Sequence, residues 1–470
     1  MLSKVDEVTK KIKLNFDLSE LEISEDIDRD IGTITTSSLE AYKNYITAGK
    51  IFQTGNFRKA IPYYKKAIAI DPGFATAYRS LAMASYNIGD FNGMKRYVKK
   101  SFELSDRISD RERYRNQAEF YLNVENNDKK AMAAYKKLLE FYPEDLSGHH
   151  QLGLLYSDLE EWDNAVDEYK ISLKDEGVTS YYALAEAYEA KGLYERAEEL
   201  LSFYLNNISD NAFIRRRLAH IYIIQNKYDL AMAEAERASS LNPVPFYDFR
   251  LMGDIYVFKG DLIKSEQEYR KLLESGGTPN KLGGRLMLSS LFLLSGKFNE
   301  SLNQVRLGLK LAKRSGQWAW HLIFKRSLIY KYLKSGNPVE ALKECKIEWD
   351  MAVEEKNLRN QTSILYFKGV VLAGNRSLDL AQKTADELRE LIKKGMNQKR
   401  TRFYFHLMGK IESKRNNSSK AVEYFEKAIA LLPHQHKMYS VDQHALFFEP
   451  LAAVFYKKGD FEKAQEQYEK

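Results

Sequence analysis

One periodicity constrains this chain more than any other feature. Small residues stand in pairs twelve positions apart, each pair followed four residues later by an aromatic or aliphatic side chain, and the unit recurs in twelve segments of about 34 to 43 residues. The segments begin near Ala41, Ala75, Glu112, Leu146, Val178, Ala212, Phe246, Leu282, Leu322, Thr362, Arg402 and Ala445. At the eighth position, ten of twelve residues are Gly, Ala or Ser, the exceptions being Glu119 and Ile329. At the twentieth, eleven of twelve are small, from Ala60, Ala131 and Ala165 to Ala421 and Ala464, with Met94 the exception. Two antiparallel helices approach closely only where neither carries bulk, so these positions mark the facing flat spots of a helix A and a helix B.

The turn between the two helices is written chemically. The fifteenth position is Gly in seven segments and Asn in three, the residues that a left-handed helix C-terminus accepts. Aromatic residues such as Tyr156, Tyr188, Tyr222, Trp162, Tyr194 and Phe298 recur at the eleventh and seventeenth positions as wedges between helices. Pro72, Pro143, Pro243 and Pro433 stand at the thirty-second, where proline stops helix B. No stretch reads as alternating strands joined by hairpin turns.

This combination of small residue, aromatic, Gly, aromatic, small residue and proline resembles the tetratricopeptide repeat, from about Ala41 to the C-terminus. The resemblance implies an all-α, right-handed α-solenoid of about twelve antiparallel helix pairs, with a concave groove, lined by helix A, that holds an extended peptide or a helix. Departures are Asn44 and Thr47 in the first helix A, Met94 and Ser101 in the second segment, and Glu119 and Ile329 at the flat spot. Three regions are expected: a leader over residues 1–38, with Val5, Val8 and Ile12 on one helical face; repeats one to eight over 39–321; and repeats nine to twelve over 322–470, where the pitch lengthens to roughly 40 residues. The stretches ITTSSLEAYKNYITAGKIFQTGNFRKAIPYYKKAIAIDP and SFELSDRISDRERYRNQAEFY are similar to arrays at the C-terminal end of bacterial signalling proteins with a TolB-like, kinase or cyclase domain upstream. No Gly-rich phosphate loop and no HRD or DFG triplet is present. The expectation is a piece of a longer signalling protein, or an array whose uncapped end meets a partner.

Catalysis has no visible carrier. The lone Cys345 excludes an internal disulfide and reads as a buried thiol. Of eight histidines, only those from His434 to His444 cluster, without the ligand set a metal requires, so no metal and no cofactor is expected. Carboxylate pairs such as Glu160 with Glu161 are chain neighbours on helix ends and do not converge. No apolar run approaches the roughly 20 residues of a membrane span, and Met1 to Phe16 lacks a signal-peptide core. The chain as it stands is expected in the cytoplasm, or on the extracytoplasmic face if a membrane-anchored protein carries it.

A binding surface remains. The fifth position of helix A faces the groove in the family, and here it reads Tyr45, Arg79, Asn116, His150, Tyr182, Arg216, Arg250 and Arg326 among its members, against the single acid Glu449. Arginine forks suit carboxylates and tyrosines supply rigid contact area, so the expected partner is a protein or acidic peptide. The alternative is that Arg216 and Arg250 pair with nearby acids such as Glu186 and Asp254. The family's carboxylate clamp would place Asn at the ninth position, where Gly49, Met83, Phe120 and Leu154 stand instead. Lys393, Lys394, Lys399, Arg400 and Arg402, interleaved with Phe403, Tyr404 and Phe405, form the one basic cluster that suggests nucleic acid; with net charge only +7, an inter-repeat linker is the simpler reading.

Overall fold

The computed structural model describes residues 36–53, 57–88, 90–175, 177–434 and 441–469. The expected helical face of Val5, Val8 and Ile12 lies outside them, as do Gly55, Gly89 and His436. Twenty-four α-helices and no strand occur among the described residues. The chain divides into two compact units, residues 1–152 and 153–470.

The first unit holds α1 (Leu39–Gln53), α2 (Phe57–Ile70), α3 (Ala75–Asn87), α4 (Phe91–Glu103), α5 (Asp110–Asn123) and α6 (Asp128–Phe141). The division falls inside α7 (Leu146–Asp158). The second continues with α8 (Trp162–Ser172), α9 (Val178–Ala190), α10 (Tyr194–Asn207), α11 (Ala212–Ile224), α12 (Tyr228–Leu241), α13 (Pro245–Phe258) and α14 (Leu262–Glu274). Six longer helices follow: α15 (Thr278–Leu294), α16 (Phe298–Arg314), α17 (Trp318–Lys334), α18 (Pro338–Glu354), α19 (Leu358–Gly374) and α20 (Leu378–Lys394). The last are α21 (Thr401–Lys414), α22 (Ser418–Ile429), α23 (Val441–Lys458) and α24 (Phe461–Glu469). Each segment start read from the sequence falls within the first five residues of an odd-numbered helix, so the twelve segments are twelve A–B pairs.

Packing follows residue size. Ala60, Ala165 and Ala231 on helix B are fully buried, as are Ala48, Ala185 and Ala219 on helix A. Glycine at the eighth position makes room for an aromatic ring at the twenty-fourth: a Cβ on Gly153 would stand 2.6 Å from Tyr169, on Gly253 2.3 Å from Tyr269, and on Gly409 2.6 Å from Phe425. The exception Ile329 obeys the same volume rule from the other side, because its partner at the twenty-fourth position is Cys345 rather than an aromatic, and both lie in one buried cluster. Glu119 instead faces Arg79 across a gap of 3.9 Å, while burial holds its carboxyl above the usual range.

The turns are as their residues dictate. Gly192, Gly260, Gly296, Gly336 and Gly459 have positive φ, and so do Asn126, Asn226 and Asn416. Glu160 (φ 60°) and Arg376 (φ 58°) occupy the same slot without that ease. The longer pitch comes from the helices: α15 to α20 have 17 residues each against 13 or 14 in α9 to α14, about one extra turn apiece. The lengthening starts at Thr278, one pair earlier than residue 322, runs to Lys394, and returns in the 18 residues of α23.

The second unit also closes on itself. Arg402 forks onto Glu160, with Nη1 2.7 Å and Nη2 2.8 Å from its two carboxylate oxygens. Asn397 donates to the Asp158 carbonyl at 3.2 Å and Lys399 to the Glu160 carbonyl at 2.6 Å. One repeat along, the His434 amide donates to the Ala190 carbonyl at 3.0 Å, and the Tyr194 hydroxyl to the His434 carbonyl at 3.1 Å. The A–B turns of repeats four and five thereby seat on the connections that border repeat eleven.

Candidate functional site

The fifth-position side chains differ in their surroundings. In the first unit, Tyr45 is half-buried, with ring centroids 5.0 Å from Phe74 and 5.9 Å from Tyr64. Arg79 reaches Glu112 at 2.8 Å. Asn116 is 2% exposed and donates to the Ser101 hydroxyl at 2.8 Å, so it serves the interior of its repeat. His150 is half-buried.

In the second unit, α9, α11 and α13 bring Tyr182, Arg216 and Arg250 onto successive helix-A faces. Tyr182 stacks on Phe213 at 4.4 Å and 23°, with the Arg217 guanidinium 5.0 Å from its centroid. Arg216 donates from Nε to Asp248 Oδ1 at 2.9 Å and from Nη2 to the Asn242 carbonyl at 2.6 Å. Arg250 lies 3.4 Å from Asp254, which also accepts the Tyr269 hydroxyl at 2.5 Å. Burial outweighs these partners, holding the Asp254 carboxyl above the usual carboxylate range and pulling the Arg250 guanidinium down. Arg250 thus pairs with Asp254 as the alternative sequence reading has it, whereas the acid at Arg216 is Asp248. Arg217, one residue beyond the fifth position, forms a buried ion pair with Glu189, and His220 Nδ1 stands 3.4 Å from the same carboxylate. On α17, Arg326 is 36% exposed, 3.7 Å from Glu348 and 2.7 Å from the Asn360 side-chain oxygen.

A cleft of about 420 Å³ opens beside Arg216. Phe213, Leu241 and Tyr247 supply its apolar lining, and Asp210 and Asn242 its polar edge. Phe213 and Tyr247 each occupy the second position of a helix A and are 40% and 45% exposed. Reading only the fifth position passes over them. The signal available in the sequence was an aromatic at the same register position of consecutive segments.

Two buried groups farther along are shut away from solvent. His406 is fully buried; its Nε2 lies 2.8 Å from the Leu446 carbonyl, so it donates there, and Nδ1 accepts the Tyr366 hydroxyl at 2.9 Å. Burial keeps this imidazole neutral, well below its ordinary pKa. Burial likewise pushes the Cys345 thiol up to about 12, far from a nucleophile's range. Among the described residues no three His, Cys, Asp or Glu side chains are grouped to hold a metal ion, and no helix is long and apolar enough to cross a membrane.

The basic cluster is largely engaged inside the unit. Lys393 pairs with Glu390, Lys399 and Arg402 bind the Glu160 turn, and Arg400 donates to Thr362 Oγ1 at 3.0 Å, the Arg359 carbonyl at 2.9 Å and Ser363 Oγ at 2.8 Å. Glu160 carried a signal in the sequence, a carboxylate in a turn slot that elsewhere holds mostly Gly or Asn.

Models of the tetratricopeptide repeat match residues 52–74, 115–145, 150–212, 217–245 and 404–434. Among solved structures, the chain is similar to a tetratricopeptide repeat protein from Parabacteroides merdae, at 18% identity and a TM-score of 0.37 over 51% of this chain and 94% of that one. It is also similar to MamA protein, at 21% identity and a TM-score of 0.30 over 35% of this chain and 91% of that one. Each matched segment falls on A–B helix pairs of the fold, and over these segments the chain carries tetratricopeptide repeats.

Proposed function

We propose that the array is a non-catalytic scaffold that holds an acidic peptide or helix on its helix-A face, as the docking arm of a larger bacterial signalling protein. Tetratricopeptide repeats are protein-interaction modules in general; the finer reading rests on the cleft beside Arg216. There two exposed rings, Phe213 and Tyr247, stand on consecutive helices with a guanidinium between them, and Arg216 lies 5.9 Å from the Tyr247 centroid. Rigid aromatic rings lose little conformational entropy on binding, and a preformed helical wall adds little more. Tyr182, Arg250 and Arg326 extend the same series of helix-A positions, with Tyr45, Arg79, Asn116 and His150 as their counterparts in the first unit.

Selection of displayed random peptides on the immobilised chain tests this reading. Enrichment of sequences rich in Asp and Glu is expected, with affinity falling about tenfold in a Phe213→Ala, Tyr247→Ala double variant whose helicity is unchanged. Enrichment of neutral or basic sequences contradicts the acidic partner, and binding indifferent to both rings contradicts the cleft.

A further inference from the structure

The arginines singled out by the repeat register are not equal in charge. Arg79 meets Glu112, Arg216 meets Asp248 and Arg250 meets Asp254, all within 3.4 Å. Each pair is close to neutral, so a bound acidic segment gains from a further cation that has no such partner.

A different arginine makes no ion pair among the described residues, although Glu160 attracts it from beyond contact. Arg400, half-buried just before α21, directs Nε and Nη2 to three neutral oxygens, those of Thr362, Arg359 and Ser363. It forms no ion pair among the described residues, and its Nη1 edge makes no hydrogen bond there. The same contacts fix its company. Arg359 lends the carbonyl that Arg400 binds, and Arg326 holds Asn360, one residue on.

The acids nearby are committed elsewhere. Glu160 receives the full fork of Arg402, and Asp158 sits 3.3 Å from Arg359. Glu348 stands 3.7 Å from Arg326, and burial pushes its carboxyl up to about 7, so its compensation is partial at neutral pH. Positive charge therefore exceeds negative around Arg400. Its guanidinium is correspondingly driven down to about 9, first by burial and then by Arg359 and Arg402. An anion on the Nη1 edge would relieve both effects.

We propose that Arg400, flanked by Arg326 and Arg359, is the docking point for a carboxylate of the acidic segment bound by the helix-A face, an assignment that rests on the acidic-peptide reading above. A carboxylate matches the planar fork in shape as well as charge. Unlike Arg79, Arg216 and Arg250, this arginine gains a counter-ion from the ligand without first giving one up.

Fluorescence anisotropy with a labelled octaglutamate peptide at low ionic strength tests the assignment on the full chain, with a labelled dodecathymidylate in parallel. Arg400→Gln is expected to weaken octaglutamate binding about tenfold or more, while Arg270→Gln, which removes an exposed helix-B arginine paired with Glu266, changes it less than about twofold. If Arg400→Gln loses helicity by circular dichroism, Arg400→Lys is read instead. It keeps the charge and loses the fork, and about threefold weakening is expected of it. Binding by the wild type that neither Arg400 variant alters overturns the docking point and leaves the acidic-peptide reading standing. No octaglutamate binding by the wild type overturns both. Tighter, Arg400-dependent binding of dodecathymidylate shows a site for nucleic-acid phosphate and overturns the carboxylate.

Discussion

Glycine at a helix flat spot is destabilising by propensity, by about 1 kcal/mol relative to alanine. Gly253 nonetheless sits mid-helix because the Tyr269 ring occupies the volume its Cβ would take. Gly253→Ala should therefore lower stability by about 1 to 3 kcal/mol through overpacking. Gly49→Ala, whose new Cβ would come no nearer than 4.0 Å to the Tyr64 hydroxyl, should be neutral or stabilising. Denaturant midpoints of the two variants check the contrast, and equal losses would contradict it. The Ile329 and Cys345 pair permits a sharper measurement. Cys345→Tyr should destabilise, and adding Ile329→Gly should recover at least about 1 kcal/mol of the loss in a double-mutant cycle. Glu348 supplies a pH dependence. Its folded-state pKa is raised from 4.5 to about 7, so the folded form binds the proton more tightly than the unfolded one. Its contribution is complete below pH about 4.5 and is lost as pH rises through about 7, to a total of at most ~3 kcal/mol. Glu348→Gln should flatten the fall in melting temperature between pH 5 and pH 8, measured by circular dichroism. An unchanged slope would place the titrating group elsewhere.

At the scale of helices and turns, legibility had a physical limit. Register, turn residues and helix stops were readable because each depends on local chemistry: small residues where helices touch, Gly or Asn where φ is positive, proline past helix B. Ion pairing was less readable, since Arg216 finds Asp248 on the next helix A, 32 residues on, and a register position does not specify which neighbour a long side chain folds onto. The flat-spot exceptions became intelligible only with the facing position in view, as with Ile329 opposite Cys345. Glu160 belongs to this scale too. A non-glycine residue at positive φ costs about 1 to 2 kcal/mol, and here the side chain is held by Arg402. Glu160→Gly should relax the turn while releasing that contact, so the melting temperature should change little while the radius of gyration from solution scattering rises. An unaltered scattering profile would show that Glu160 does not hold the closure.

For the whole molecule, the array is a set of helix pairs whose flat spots nest, and the proposed partner chain lies along the helix-A positions. Hydrogen–deuterium exchange on the intact protein, with and without octaglutamate, tests that claim most directly. Protection is expected in the middle of α17, the first turn of α19 and around residues 398–402, near Arg326, Arg359 and Arg400, with the helix-B segments unchanged. Protection confined to helix B, or none with the peptide bound, would contradict the account.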